Sequence, residues 1–416
     1  MNRRISIIAF FVFAAFFFSI RIGSAHDPIT TKVMFNKEVI RILERNCLGC
    51  HAPNKIKADI PLTNYDEARP WAKAIKEEVL EKRMMPFQAV KGYGRFLHNY
   101  VLTQRETELL VSWIEGGAPR GDTKDYPAQQ IESLVKGDTW PLGEPDTILQ
   151  TPETKIAAEA EGEPESETKC VALTTNLRGT NWLSAIDFHP GNGEIVQSAS
   201  VHRFSNKPIP PNVKMTVCGR VGETLSVWVP GQSAIRFPEG VGRQLKAGEE
   251  LILQVRYQRS EHAATDSSRI ALYFAKSAAT KSVRTETIAP EPVVIPANAE
   301  NQPVKASMLI SRPAEAVSIR PLLFPFAKSV EARAVRPDGS IEVLVVARNY
   351  RFDWQPAFFF KQPVSLPRGT RIEVIAYVDN SDKNRNQPND PPVELKLDSP
   401  LCEIALARTS KPKPAR

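Results

Sequence analysis

At 416 residues the chain is long enough for two or three hydrophobic cores, and a 42% hydrophobic content excludes a disordered chain. The net charge of +7 comes from 54 Lys and Arg against 47 Asp and Glu, dispersed rather than blocked, so no nucleic-acid surface is expected.

The first residues have the layout of an export signal. Arg3 and Arg4 precede an apolar run over 5–20, then come the small residues Gly23, Ser24 and Ala25. Removal of 1–25 would leave His26 first; an uncleaved segment would instead be an N-terminal anchor and the chain's one membrane contact. Either way the rest is expected in the periplasm or another extracytoplasmic compartment, which suits a chain with five Cys.

From 34 to 122 the pattern is helical. Asn36 is placed to cap a helix through Val39, Ile40 and Leu43 to Cys47, and 71–82 is helix-like. The run 106–114 repeats apolar residues at helix spacing before Gly116 and Gly117. Residues 123–140 read as a linker.

Beyond it, short alternating runs are punctuated by turn residues: Leu225, Val227 and Val229 before Pro230 and Gly231; Leu251, Leu253, Val255 and Tyr257; 341–346 after Pro337, Asp338 and Gly339; 372–378 after Pro367 and Gly369. This pattern predicts β-sandwiches rather than a parallel sheet. A Pro-rich, weakly patterned stretch near 277–303 reads as a second linker. It divides the region into sandwiches at 141–276 and 304–408, with a tail at 409–416. The acidic stretch 159–167 reads as a solvated loop.

Cys47, Leu48, Gly49, Cys50 and His51 form C-x-x-C-H, the attachment signature of c-type haem. Two thiols one helical turn apart reach the two vinyl groups, and the adjacent imidazole meets the iron from the same face. A zinc site would need more Cys or His at suitable spacing, and the chain has no second Cys pair. Met84 and Met85 stand directly before Pro86; Met85 is the expected second axial ligand, with Met84 and His98 as alternatives. His/Met ligation suits electron transfer rather than oxygen chemistry. The other cysteines, Cys170, Cys218 and Cys402, permit one internal disulfide, and spacing does not say which.

With C-x-x-C-H, RMMP (83–86) and WIEGGAPRGD (113–122), residues 34–122 resemble the small cytochrome c domains that precede copper monooxygenase-like modules in some bacterial exported proteins. The region from about 142 to 408 resembles the copper type II, ascorbate-dependent monooxygenases, the group of peptidylglycine monooxygenase. The resemblance rests on GEPD (143–146), HPGN (189–192), WVPG (228–231), FPEGVGRQLKAGEELILQ (237–254), ATDSSRIALYFAK (264–276), RPDG (336–339), FDWQ (352–355) and LPRGTRIEVIAYVDNS (366–381). It implies two jelly-roll-like sandwiches and a two-copper reaction using five His and one Met. At the matching positions this chain has Gln197, Ser198 and Arg256 for the first copper, and Phe326, Lys328 and, after Glu403, Ile404 for the second. Copper is therefore not expected, and His189, His202 and His262 read as surface or structural residues.

The expected class is thus multidomain: an all-α cytochrome c domain followed by two all-β, jelly-roll-like sandwiches. The expected function is electron transfer by one covalent haem, held by Cys47, Cys50, His51 and Met85. A redox protein is the expected partner, and the copper-less β region is read as a docking or assembly module and is not itself expected to be an enzyme. Two competing readings are an oxygenase whose haem feeds copper and a non-redox binding protein.

Overall fold

The short apolar runs beyond residue 140 do form strands, and their turns fall at the Pro and Gly clusters. In this computed structural model, residues 30–409 are described except 85–87, 91, 99–100, 138, 163, 205–216, 323–325, 349–353 and 385. The export segment, Met85 and nearly all of the tail lie outside the described residues.

One sheet carries eight strands in the order Phe358–Leu366, Ala314–Pro321, Cys402–Thr409, Lys281–Ile288, Val241–Leu245, Asn181–His189, Arg269–Phe274 and Thr147–Gln150. A four-stranded sheet covers one end of it: Ser166–Thr174, Glu250–Gln258, Val196–Phe204 and Val221–Trp228. Between these two sheets Leu183, Ile186 and Phe188 pack with Val201, Leu225, Leu251, Leu253, Val255 and Tyr257. A five-stranded sheet covers the other end: Gln88–Ala89, Ile341–Arg348, Ala327–Val335, Arg371–Val378 and Gln302–Leu309. Here Ile319, Phe358, Ile404 and Leu406 pack with Val330, Leu344, Ile372 and Val374. Alternation aims one face of these strands at one of the two cores, while the eight-stranded sheet also buries smaller clusters on its other face, Val241, Val283, Val317, Ala405 and Ala407 in one and Ala185, Ala271 and Tyr273 in another.

The N-terminal stretch folds into short helices. A π-helical turn, Phe35–Val39, runs into the helix Ile40–Asn46. Asn36 is not the cap expected of it, because it lies inside that turn and its side-chain amide donates to the Asp122 carbonyl at 3.0 Å. The helix Gln104–Glu115 starts in a reciprocal cap between Thr103 and Glu106 and stops at Gly116. Its buried face presents Leu110 and Trp113 to Phe35, Val39 and Leu43. Ile131 joins the same cluster from the helix Ala128–Lys136, in the stretch read as a linker.

These observations correct the expected class. The protein is mostly β, 40% strand against 16% helix, and 34–122 is not an all-α domain. From the middle of that stretch, Gln88 and Ala89 pair with Arg348 and Ala347 at the edge of the five-stranded sheet, and Phe96 bridges to Phe360. Phe96 is 2% exposed and stacks near Phe358 and Phe360, so the hydrophobic effect pins this loop to the β core rather than to its neighbouring helices. Nor do the two β cores have separate sheets. Residues 281–288, inside the stretch read as the second linker, pair along their whole length with 402–409. They also meet Val241 and Gly242 in parallel, which makes the sheet continuous across both cores. The prolines at 290, 292, 296 and 303 gave the stretch its linker character, but they begin after this strand has ended.

Candidate functional site

The helix Ile40–Asn46 delivers the C-x-x-C-H residues. The Cys47 amide donates to the Leu43 carbonyl at 2.7 Å, and the Cys50 and His51 amides donate back to the Cys47 carbonyl at 3.0 and 2.8 Å. Leu48, fully buried, anchors this turn, so the thiols of Cys47 and Cys50 and the ring of His51 border one cleft. Both thiols are unbridged. Burial pushes Cys47 up to about 12, with the neighbouring Cys50 and Glu106 adding to the effect, and burial also pushes Cys50 up to about 11. Thiols held neutral in this way are unlike the low-pKa, reactive cysteines of redox-active C-x-x-C pairs. His51 Nδ1 lies 3.0 Å from the Ile60 carbonyl, and burial lowers its pKa, favouring the neutral ring. With Nδ1 turned to a carbonyl, Nε2 is the nitrogen left for a metal.

The cleft has a volume of about 1790 Å³. Leu43, Ile60, Leu62, Ile75, Val79 and Leu110 supply apolar wall on the helical side, where Met84 and His98 also reach it. The β region supplies the opposite wall, including Trp228, Trp354 and His189. The His189 ring stacks on Trp140 at 3.7 Å, and its Nε2 is 3.4 Å from Asp187. The donor set and shape fit a covalently attached haem: two free thiols, a neutral imidazole with one nitrogen tied off, and an apolar recess. Of the expected second ligands, Met84 is 42% exposed, and Met85 lies outside the described residues.

Two backbone approaches join the loop to the β region, and sequence reasoning did not anticipate either. Gly49 lies against Gly231 of WVPG so closely that a Cβ on Gly49 would come within 2.5 Å of the Gly231 Cα. Gly193, directly after HPGN, lies against Asn54, whose carbonyl oxygen would sit 2.1 Å from a Cβ there. Trp354 of FDWQ braces the first contact by donating from Nε1 to the Pro230 carbonyl at 2.9 Å. These motifs were legible as turns, but nothing in their spacing says that the turns face Cys50.

The six positions that the expected resemblance sets against copper ligands divide into two places. Ser198 and Arg256 are partners across neighbouring strands, and Arg256 donates to the Gln197 side chain at 3.0 Å and to Ser166 Oγ at 2.9 Å. Lys328 pairs with Asp379 at 2.6 Å, while Phe326 packs against the core that contains Ile404. Among the described residues, no group of three or more His, Cys, Asp or Glu side chains is arranged to hold a metal ion. Cys170 and Cys218 form a disulfide, and Cys402 is buried and unbridged.

His202 is buried between the sheets. Its ring nitrogens face Ser200 Oγ at 2.7 Å and Thr224 Oγ1 at 3.3 Å; Thr224 in turn donates to Glu403, which pairs with Arg320.

No known protein family matches the chain, and neither does any curated sequence. Solved structures give only distant likenesses. A structure of infectious bursal disease virus, Gx strain, is 9% identical over 65% of this chain and 74% of its own, with a TM-score of 0.20. A two-domain protein of unknown function from Bacteroides fragilis is 10% identical over 59% of this chain and 85% of its own, with a TM-score of 0.17. A putative alpha-L-fucosidase from Bacteroides ovatus is 8% identical over 72% of this chain and 47% of its own, with a TM-score of 0.18. Likenesses this weak carry no functional argument.

Burial, opposed by the nearby Glu403 carboxylate, lowers His202 from 6.5 to about 4. The folded state therefore keeps this ring neutral over a range where the unfolded chain takes up a proton. Its contribution is complete above pH 6.5 and is lost as pH falls towards 4, a swing of roughly 3 kcal/mol. Urea unfolding measured across this range should show the slope, and His202→Gln should flatten it; an equal slope in the variant would assign it to other groups.

Proposed function

We propose that the chain is an exported monohaem c-type cytochrome that transfers electrons, its β region serving as a copper-less docking or assembly module for a redox protein partner. The observation that carries this reading is the C-x-x-C-H loop itself, with both thiols unbridged and the His51 Nδ1 engaged by the Ile60 carbonyl. The Cys170–Cys218 disulfide supports placement in an oxidising compartment, where haem attachment also takes place.

Cys47 and Cys50 would hold the haem through thioethers, and His51 Nε2 would ligate its iron. When bound, the haem supplies a one-electron redox centre. The Ile60 carbonyl fixes the His51 tautomer and ring orientation. Leu43, Leu62, Val79 and Leu110 exclude water from the recess, favouring the reduced state through low polarity. Met85 would supply the second protein ligand to the iron, a thioether that would raise the potential. Arg256 engages Gln197 and Ser166, and Lys328 engages Asp379, which supports the reading that these positions do not hold copper.

Matured by a cytochrome c assembly system, the protein should carry haem that survives acid-acetone extraction, and Cys47→Ser or Cys50→Ser should leave at most one thioether. Fully extractable haem, or zinc in its place, would refute the assignment. Met85→Ala should lower the reduction potential and abolish the red-region charge-transfer band, whereas Met84→Ala and His98→Ala should leave both nearly as they are. Loss of the band in the His98 variant instead would move the ligand there. After copper loading and desalting, metal analysis should find no stoichiometric copper; two tightly held ions per chain would restore the oxygenase reading.

A further inference from the structure

The two turns that touch the C-x-x-C-H loop are far more firmly held than the loop. Asn192 donates its amide to Asp266 Oδ1 at 2.9 Å, and Asp266, 2% exposed, also accepts from Tyr257 and Ser268. Gly191 is wedged against Ser267, whose carbonyl oxygen would lie 2.4 Å from a Cβ at Gly191. The second turn is closed by the Gln232 amide on the Val229 carbonyl at 2.9 Å and braced by Trp354. Across the contact, residues 48–55 form no strand or helix and are tied by short-range backbone bonds such as Lys57 to Cys50 and Lys55 to Ala52. When these two surfaces press together, the loop must yield.

We propose that Gly193 and Gly49 are positioning residues for the haem: by admitting the backbones of Asn54 and Gly231, they fix the attachment loop against the sheets and thereby set how far water penetrates beside His51. The β region is then the second wall of the redox site as well as a module beside it. Neither Gly193 nor Gly49 can carry a side chain as packed, since a Cβ on Gly193 would stand 2.1 Å from the Asn54 carbonyl oxygen and one on Gly49 2.5 Å from the Gly231 Cα. Gly193 and Gly49 lie outside the left-handed region of φ, so alanine at either is excluded by its neighbour alone. Gly248, at φ +67 with open space around it, gives the converse case of backbone strain without contact.

The effect on water rests on the haem reading, but the docking of the loop does not, and the test separates them. In the full-length protein, amide hydrogen exchange over residues 48–55 and the reduction potential are compared for wild type, Gly193→Ala, Gly49→Ala and Gly248→Ala. Either contact variant should speed exchange of the loop by about tenfold or more, with the remaining strands as protected as before, and should shift the potential downwards as water enters. Gly248→Ala should leave both readings at wild-type values. Should Gly193→Ala fail to fold, Gly49→Ala tests the other contact, with Gly231, from the loop side. Unchanged loop exchange in the folded variants would overturn the docking, and faster exchange with an unchanged potential in haem-loaded protein would overturn the positioning role. Faster exchange in a protein that carries no covalent haem would uphold the docking while sinking the cytochrome assignment.

Discussion

The antiparallel pairing of residues 281–288 with 402–409 is the contact on which the architecture turns. It draws the C-terminal strand into the middle of the eight-stranded sheet, where its other edge pairs with 314–321. Ile288, in the core beneath the five-stranded sheet, and Val283, buried on the opposite face, hold the strand from both sides. From that shared sheet the chain builds one core towards the four-stranded sheet and another towards the five-stranded sheet. A disturbance at Cys402–Thr409 is therefore felt on both sides, unlike a change in a sandwich tethered by a loop.

The helical layer depends on the same platform. Its apolar cluster around Phe35, Leu43, Leu110 and Trp113 is small, and small cores bury too little surface to be robust alone. Additional hold comes from Phe96 within the second β core and from the glycine contacts at 49 and 193. The cleft beside Cys47, Cys50 and His51 is consequently a composite, apolar on the helical side and aromatic and polar on the β side. In the electron-transfer reading proposed above, the apolar helical side would lower the reorganisation that accompanies a change of charge.

The buried polar groups follow a different logic from the cleft. Glu403, between Thr224 and Arg320, and Arg243, held by Glu223, are ionised side chains kept inside by partners rather than exposed to solvent. Removing one member would strand its partner's charge, so these groups constrain how the sheets meet. Arg256 shows a related pattern at lower burial, donating to the Gln197 side chain and to Ser166 Oγ.

What the sequence determined by itself was local chemistry. C-x-x-C-H fixes two thiols and an imidazole on one turn because helical geometry needs only the spacing. Period-two alternation located the strands at 221–228, 250–258 and 371–378, and the turn residues before it marked the strand at 341–348, which is buried on both faces over 344–347. Tertiary structure decided what long-range packing decides: that 281–288 is a sheet strand and not a linker, and that 88–96 leaves the helices for a β core. It also decided that the turns HPGN and WVPG close on the attachment loop. Such pairings are set by surfaces hundreds of residues apart, and no local periodicity records which surfaces will meet.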